Sequence, residues 1–123
     1  MNLKIEPRPE YLLATLSGPF DLPQSLNAIR EIFAACGSHG LRKILFDMRT
    51  VEGNLNLMDR FDLGRGAAEL QRVPLRVAVL AREDQVWPDR FAETVANNRG
   101  LVTKVTTDQA EALAWLNRDA AQS

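Results

Sequence analysis

Short apolar runs of strand length alternate along this chain with segments that have the features of capped helices. The runs lie at residues 41–46, 75–81 and 101–106. A segment with helical periodicity and a capping residue at its start follows each of them. Strands that alternate with helices are joined by right-handed crossovers and build a largely parallel sheet. The sequence therefore predicts an α/β domain.

Two further strands are predicted before the first helix. Residues 3–6 and 11–16 have strand composition, and the turn between them contains Pro7 and Pro9. Proline cannot donate to a sheet ladder, so this hairpin is expected at a sheet edge. The Ser-Gly-Pro run at residues 17–19 is expected to end the second strand. The predicted order is a strand pair followed by α-β-α-β-α-β-α.

Capping residues predict where the first two helices begin. Asp21 is expected to cap the first helix, with Gln24 as the reciprocal partner of a capping box. Gly37 is expected to end that helix. Asn56 is expected to cap the second helix, with Asp59 at its third position. Four residues are predicted to form part of the inner face of the second helix: Leu57, Phe61, Ala68 and Leu70.

The second helix also contains two glycines, Gly64 and Gly66. Each weakens a helix by about 1 kcal/mol relative to alanine. Two interpretations stay open, close backbone packing against a neighbour or a break in the helix. Of the remaining helices, the third is expected to open at residues 87–89, and the last to be capped by Thr107 or Asp108.

The charge balance narrows the classes of partner. The chain has 15 Lys and Arg residues against 16 Asp and Glu, a formal net charge of −1. This balance argues against non-specific nucleic-acid binding and against a polybasic membrane patch. We find no signal peptide and no apolar run of the roughly 20 residues that span a bilayer. We therefore expect a cytoplasmic protein without a membrane span, formed by one domain over residues 1–123.

Catalytic and cofactor motifs are absent from the sequence. It has no phosphate-binding loop, no complete dinucleotide fingerprint and no nucleophile elbow of the hydrolases. His39 lies in a predicted exposed turn. Cys36, the one cysteine, falls on the apolar face of the first helix and is expected to be a small buried hydrophobe. We predict no metal site, no cofactor and no enzymatic activity.

Two polar segments that we predict to be loops follow strands. They lie at the end of the sheet where ligands of open α/β sheets usually bind. The first spans residues 47–54 and leads into the predicted cap of the second helix, and the second spans residues 82–85. Free N–H groups at a helix N-terminus favour an anion, and Arg49 and Arg60 would reinforce that preference. The candidate ligand- or partner-binding residues are Asp47, Arg49, Thr50, Asn54, Asn56, Arg60, Arg82 and Trp87.

A purely structural role stays open for several of these candidates. Asn56 is a residue type that caps helices, which is sufficient reason for its position. Aspartates such as Asp47 hydrogen-bond turn amides at strand ends. Trp87 shares a helical face with Phe91 and Val95, so it also fits a core position.

Four stretches of the chain carry a resemblance to a known family: residues 12–18 (LLATLSG), 43–49 (KILFDMR), 93–100 (ETVANNRG) and 107–116 (TDQAEALAWL). They resemble the STAS family, the sulfate-transporter and anti-sigma-factor-antagonist domains, and within it the bacterial stand-alone, SpoIIAA-like proteins. The resemblance implies a single-domain SpoIIAA-like (STAS) fold with its core at about residues 11–117. In that fold four β-α turns build a mostly parallel central sheet, and an extra N-terminal strand lies at the edge.

The family's regulatory serine is replaced in this chain. Anti-sigma-factor antagonists carry a serine at the start of the helix after the second long strand, and a partner kinase phosphorylates it to disrupt binding. The corresponding stretch here is residues 55–58, with Asn56 in place of the serine. Thr50, the nearest hydroxyl, lies several residues earlier. The resemblance therefore implies a partner-binding surface without the usual phosphorylation switch.

Three functional hypotheses follow. The leading one is a non-enzymatic regulatory module that binds a protein partner or a small anionic ligand through residues 47–60 and 82–87. The alternative is an apolar-ligand or lipid carrier of the CRAL-TRIO type, with a pocket behind the second helix. The third is an enzyme that uses Asp47, Glu52 or Asp84 as acid or base. The edge hairpin also favours a homodimer.

Overall fold

The computed structural model describes residues 1–86 and 91–118. The strands are β1 (Asn2–Pro7), β2 (Leu12–Pro19), β3 (Lys43–Glu52), β4 (Arg76–Leu80) and β5 (Val102–Thr106). The helices are α1 (Leu22–His39), α2 (Leu57–Leu70), α3 (Glu83–Val86), α4 (Phe91–Asn98) and α5 (Gln109–Leu116). One sheet has the order β1-β2-β3-β4-β5, in which β1 runs antiparallel to β2 and all other neighbours are parallel. The predicted α/β fold and the edge hairpin are confirmed.

Helices cover both faces of the sheet. α1, α2 and α4 lie on one face and share the larger buried cluster with β2, β3 and β4. On the opposite face, Leu116 of α5 packs against Leu45 and Leu80. Successive residues of a strand point to opposite faces. Phe46, which follows Leu45 in the chain, therefore belongs to the larger cluster.

β3 is longer than its apolar run. The prediction of a strand at residues 41–46 followed by a loop was wrong, because β3 continues to Glu52. Its second half pairs with β2 alone, since β4 ends opposite Asp47. β2 in turn continues through Ser17 to Pro19, so the expectation that residues 17–19 end this strand was also wrong.

A bulge lies in the middle of this long strand pair. Thr15 pairs with Asp47, whereas Ser17 pairs with Thr50, so β3 contains one residue more than β2 over this stretch. A bulge of this kind lets a strand change which side chains face the core. Val51 is accordingly fully buried in the larger cluster.

The cap of α1 follows the prediction in part. The Asp21 carboxylate accepts a hydrogen bond from the backbone N–H of Gln24 at 2.9 Å. The Gln24 side chain does not complete a capping box, because its amide oxygen accepts from the amino group of Met1 at 2.5 Å. The helix does not end at Gly37 but runs to His39, and Gly40 forms the C-cap at a left-handed φ of 66°.

α2 is continuous through both of its glycines. A Cβ built on Gly64 would lie 2.7 Å from the carbonyl oxygen of Ala92 in α4. A Cβ on Gly66 would lie 2.6 Å from a methyl group of Leu26 in α1. The glycines therefore permit close packing of α2 against both neighbouring helices, and the alternative of a broken helix is wrong.

α5 begins as the sequence predicts, whereas the polar segment at residues 82–85 contains an unpredicted short helix. Asp108 caps α5 by accepting from Ala110 N–H at 2.9 Å. Residues 82–85 include most of α3. The predicted opening of the third helix at residues 87–89 lies outside the described residues. Gly100, at φ 94°, follows α4.

Candidate functional site

Asp47 and Arg49 form a paired unit on β3. The Arg49 guanidinium donates to both carboxylate oxygens of Asp47, from Nε at 3.1 Å and from Nη2 at 2.9 Å. The backbone N–H of Arg49 donates to the same carboxylate at 3.0 Å. This hydrogen bonding raises the pKa of Arg49 further above its usual value. Both residues lie on a strand rather than in the predicted loop, and their charges are mutually compensated.

Arg82 and Gln85 bind the backbone edge of β3 that extends past β4. Arg82 Nη1 donates to the carbonyl oxygen of Val51 at 3.0 Å and also to that of Arg49. The side-chain amide of Gln85 donates to the carbonyl oxygen of Met48 at 2.8 Å. Buried carbonyl groups are costly without donors. β4 ends before this part of β3. The two side chains therefore supply the hydrogen-bond donors that a neighbouring strand would otherwise supply.

Gln85 also orders the loop that presents Arg82. Its side-chain oxygen accepts from the backbone N–H of Arg82 at 2.7 Å. The Arg82 guanidinium binds Asp84 through Nε at 3.0 Å and Nη2 at 3.3 Å, and this holds the pKa of Asp84 below its usual value. Gln85 is a functionally placed residue that the sequence did not single out. A glutamine five residues after the end of β4 carries no local signal for binding a backbone 37 residues away in sequence.

Arg60 lies on α2 beside this loop. Its Nη1 donates to the carbonyl oxygen of Gln85 at 2.5 Å, and its Nε donates to that of Leu55 at 3.3 Å. Within the described residues, no carboxylate forms an ion pair with Arg60. Burial lowers the pKa of Arg60, and the more distant charges of Asp59 and Asp84 oppose that shift.

Asn56 forms the predicted cap of α2. Its side-chain oxygen accepts from the backbone N–H of Asp59 at 2.7 Å, and the Asp59 carboxylate accepts from the N–H of Asn56 at 3.1 Å. Both partners of a capping box are present. The capping box therefore engages the side chain of Asn56, the residue at the position where the resemblance places a serine. Thr50, the candidate that carries a hydroxyl, donates it to the carbonyl oxygen of Leu16 at 3.2 Å.

The first turn of α2 exposes two large apolar side chains. Leu57 is 57% exposed and Met58 is 65% exposed. The prediction that Leu57 belongs to the inner face of the helix was wrong, whereas Leu63 and Gly64 are buried. This first turn is the part of α2 that immediately follows the cap at Asn56, at the end of the sheet where β3 also ends.

Two cavities lie beneath this end of the sheet. One, of about 110 Å³, is enclosed by the sheet and by α1, α2 and α4, and its walls include Ile29, Phe46 and Gly64. The other, of about 80 Å³, has Asn54 and Arg60 in its wall. A pocket behind the second helix, which the carrier hypothesis requires, is therefore present.

The structure brings together most of the candidate residues at the end of β3. Arg82 contacts the backbone of Arg49, and Arg60 contacts the loop of Arg82 through Gln85. Asn54 and Arg60 share the wall of the smaller cavity. Trp87 lies outside the described residues.

The described part of the chain contains neither a cluster of metal-binding side chains nor a helix suited to cross a membrane. Over residues 1–86 and 91–118, no group of three His, Cys, Asp or Glu side chains is arranged to hold a metal ion. In the same residues, no helix combines the length and the apolar character that a membrane span requires.

Comparison with solved structures identifies the fold. The chain is similar to an anti-sigma factor antagonist from Mycobacterium paratuberculosis, with a TM-score of 0.60 and 16% sequence identity. The match covers 95% of this chain and 94% of the other. No family model matches the sequence, and no curated protein matches it. The anti-sigma-factor-antagonist fold that the resemblance predicted is therefore confirmed.

Proposed function

We propose that this protein is a non-enzymatic regulatory module that binds a protein partner. The observation that carries the proposal is the adjacent pair Leu57 and Met58, two large apolar side chains exposed on the first turn of α2. Apolar side chains grouped on a surface with a polar surround are typical of protein interaction sites. We define the α2-start surface as Arg49, Asn54, Leu57 and Met58.

The polar side chains beside the α2-start surface suit recognition better than catalysis. Asp47 binds Arg49 through two oxygens, and Asn56 is occupied as a helix cap. A carboxylate whose two oxygens both accept hydrogen bonds from a guanidinium is poorly placed to take a proton from a substrate. The exposed outer edge of the Arg49 guanidinium is instead available to orient a partner.

The class of the partner is suggested by the structural neighbour, which is an anti-sigma factor antagonist. We propose that the partner is a protein of that regulatory class, in a cytoplasmic setting. Asn56 has no hydroxyl, so binding at this surface would not be switched by phosphorylation at that position. Regulation would depend instead on the amounts of the two proteins.

A homodimer through the β1 edge is a further part of this proposal. β1 is the outer strand of the sheet and has only β2 as a neighbour. The opposite edge is different, because Asn97 and Glu93 of α4 bind the backbone of β5 at Thr103 and Val105. Side chains that occupy an edge prevent strand addition there. Strand pairing between two copies would therefore use β1, and light scattering of a Lys4→Pro variant would test it by loss of the dimer.

Affinity capture tests the partner-binding proposal. Wild type and a Leu57→Ser/Met58→Ser variant serve as baits in lysate of the cells that make the protein, with Val73→Ser as the matched control. Val73 is also exposed, at 40%, but follows the other end of α2. We expect wild type and the control to retain the same regulatory protein and the double variant to lose it. Equal retention by all three baits would contradict the proposal.

The carrier alternative is favoured by one observation, the apolar cavity of about 110 Å³ behind α2. Its size limits the occupant. An engineered apolar cavity of about 150 Å³ takes up benzene, which is far smaller than a membrane lipid. The cavity thus supports a small ligand and not a lipid carrier of the CRAL-TRIO type. Mass spectrometry of the protein under native conditions would reveal a bound lipid if that carrier function existed.

A further inference from the structure

The two cavities share part of their walls. Both are lined by residues of β3, α2, β4, α4 and β5, namely Met48, Leu63, Val79, Ala92 and Val105. The larger cavity reaches from this shared wall into the core between the sheet and the helices. The smaller one extends from the same wall to the loop after β3. The two cavities therefore lie side by side. We call the larger, apolar cavity the inner end and the polar side of the smaller cavity the outer end.

The inner end is suited to a hydrocarbon group. Aliphatic and aromatic side chains form most of its wall, and Glu93 is the one charged side chain among its described lining residues. The Glu93 carboxylate accepts the backbone N–H of Val105 at 2.6 Å.

The outer end contains Arg60, a positive charge that forms no ion pair with any described residue. Arg60 donates to the carbonyl oxygens of Gln85 and Leu55, and neither of these is charged. In the described part of the chain, its Nη2 has no hydrogen-bond partner. Arg60 is half-buried, and burial lowers its pKa, while the more distant charges of Asp59 and Asp84 oppose that shift.

Two other polar groups at the outer end already have partners. The Asp84 carboxylate is bound by the Arg82 guanidinium at 3.0 and 3.3 Å. The side-chain nitrogen of Gln85 donates to Met48, and its side-chain oxygen accepts from Arg82. Asn54, which also lines this end, is exposed and carries no charge. Arg60 is therefore the described group at this end best suited to an anion, because its Nη2 can donate a charge-assisted hydrogen bond to a carboxylate.

From this arrangement we infer that the two adjacent cavities open into one another and together bind a small monocarboxylic acid with an apolar body. Its hydrocarbon part occupies the space behind Gly64 and Phe46, and its carboxylate binds Arg60. The volumes of about 110 and 80 Å³ admit a short alkyl chain or a single aromatic ring. The inference is independent of protein binding at the α2-start surface, so either can fail without the other.

Titration followed by amide NMR spectra tests the inference with hexanoate as the probe. Two comparison compounds separate its parts: 1-hexanol has the same chain without the charge, and acetate has the charge without the chain. We expect saturable shifts of the amides of Val79, Ala92 and Val105 with hexanoate. We expect at least about tenfold weaker binding of both comparison compounds, as loss of a charged hydrogen bond or of apolar burial requires.

Variants of two arginines on the same helix identify the carboxylate contact. Arg60→Gln should weaken hexanoate binding by about tenfold or more and leave 1-hexanol binding unchanged. Arg65→Gln is the matched control, because Arg65 pairs with Asp62 and Glu69 on the surface and lines neither cavity. The same spectra report whether each variant is folded.

Four results would overturn the inference. The first is no saturable binding of hexanoate, and the second is equal binding of hexanoate and acetate. The third is an effect of Arg60→Gln no larger than that of Arg65→Gln. The fourth is a set of shifts confined to amides outside the two cavities. The capture of a protein partner bears on none of them, so the two proposals are tested separately.

Discussion

The backbone of Gly64 in α2 lies directly against the backbone of Ala92 in α4. A Cβ on Gly64 would be 2.7 Å from the Ala92 carbonyl oxygen and 3.0 Å from Cβ of Val95. Real Cβ atoms do not approach so closely, and a backbone oxygen cannot rotate away. The closeness of α2 and α4 along the inner cavity therefore depends on the absence of a side chain at position 64.

Replacement of Gly64 by alanine should destabilise the protein. Alanine favours helices by up to about 1 kcal/mol over glycine, but overpacking typically costs about 1–3 kcal/mol. We expect the free energy of unfolding in urea to fall by about 1–2 kcal/mol as the overpacking cost exceeds the gain in helix propensity. Gly37→Ala is the matched control, because Gly37 is inside α1 and no atom lies within 4 Å of its Cβ position. That control should be neutral or stabilising, and an equal loss in both variants would contradict the packing account.

Replacement of Arg82 should loosen the end of β3. Arg82→Ala removes the donor to Val51 and Arg49 carbonyl oxygens, and an unsatisfied polar group costs about 1–3 kcal/mol. We expect a loss of unfolding free energy in that range, measured in urea. Arg72→Ala, at an exposed arginine, should change it by less than about 0.5 kcal/mol. If the two variants have the same stability, Arg82 does not substitute for a strand.

Replacement of Asn56 distinguishes a role as the cap of α2 from a direct contact with the protein partner. Asn56→Ala should lower the unfolding free energy by about 1 kcal/mol, as loss of an N-cap does. Asn56→Ser retains a capping oxygen and should lower the unfolding free energy by only about a few tenths of a kcal/mol. Both variants should still retain the partner in affinity capture. Loss of the partner from the stable serine variant would show that Asn56 contacts it directly.

Cys36 should be unreactive in the folded protein. It is 1% exposed, and burial raises the pKa of its thiol to about 11 from 9.0. The thiolate is the reactive form. We therefore expect alkylation at pH 8 to be at least about 100-fold slower in buffer than in denaturing urea, since pKa and access both oppose it. Fast labelling of the folded protein would contradict the burial of this side chain.

The same shift predicts how stability depends on alkaline pH. Above pH 9.0 the unfolded thiol loses its proton while the folded thiol keeps it up to about pH 11. The folded state then binds more protons than the unfolded state, so the free energy of unfolding falls as pH rises through this window. Cys36→Ala should show a shallower slope between pH 9 and 11, measured by urea unfolding. An unchanged slope would exclude Cys36 as its source.

Local sequence signals were sufficient for most of the architecture. Asp21, Asn56 and Asp108 cap the helices predicted for them, because a cap depends on residues within one turn. The apolar runs identified β3 and β4 because both contribute to the buried core of the sheet, and the run that identified β5 begins with the buried Leu101. The resemblance to STAS domains added the expectation of four β-α turns with an extra N-terminal strand at the edge.

The errors have a common physical origin in contacts between distant segments. The second half of β3 is polar, and it is held as a strand by β2 and by Arg82 and Gln85, which are more than 30 residues away. The exposure of Leu57 follows from where α2 begins relative to the sheet, which helical periodicity does not encode. The absence of an ion pair between Arg60 and any described residue is likewise evident only from the three-dimensional structure.

Affinity of the captured partner for purified variants is the most direct test of the proposed function. The dissociation constant would be measured for wild type, Leu57→Ser and Val73→Ser, with unfolding in urea as the check on each fold. We expect Leu57→Ser to bind at least about tenfold more weakly, as loss of a buried leucine from an interface does, and Val73→Ser to match wild type. Equal affinity of all three proteins would contradict the assignment of the α2-start surface as the binding site.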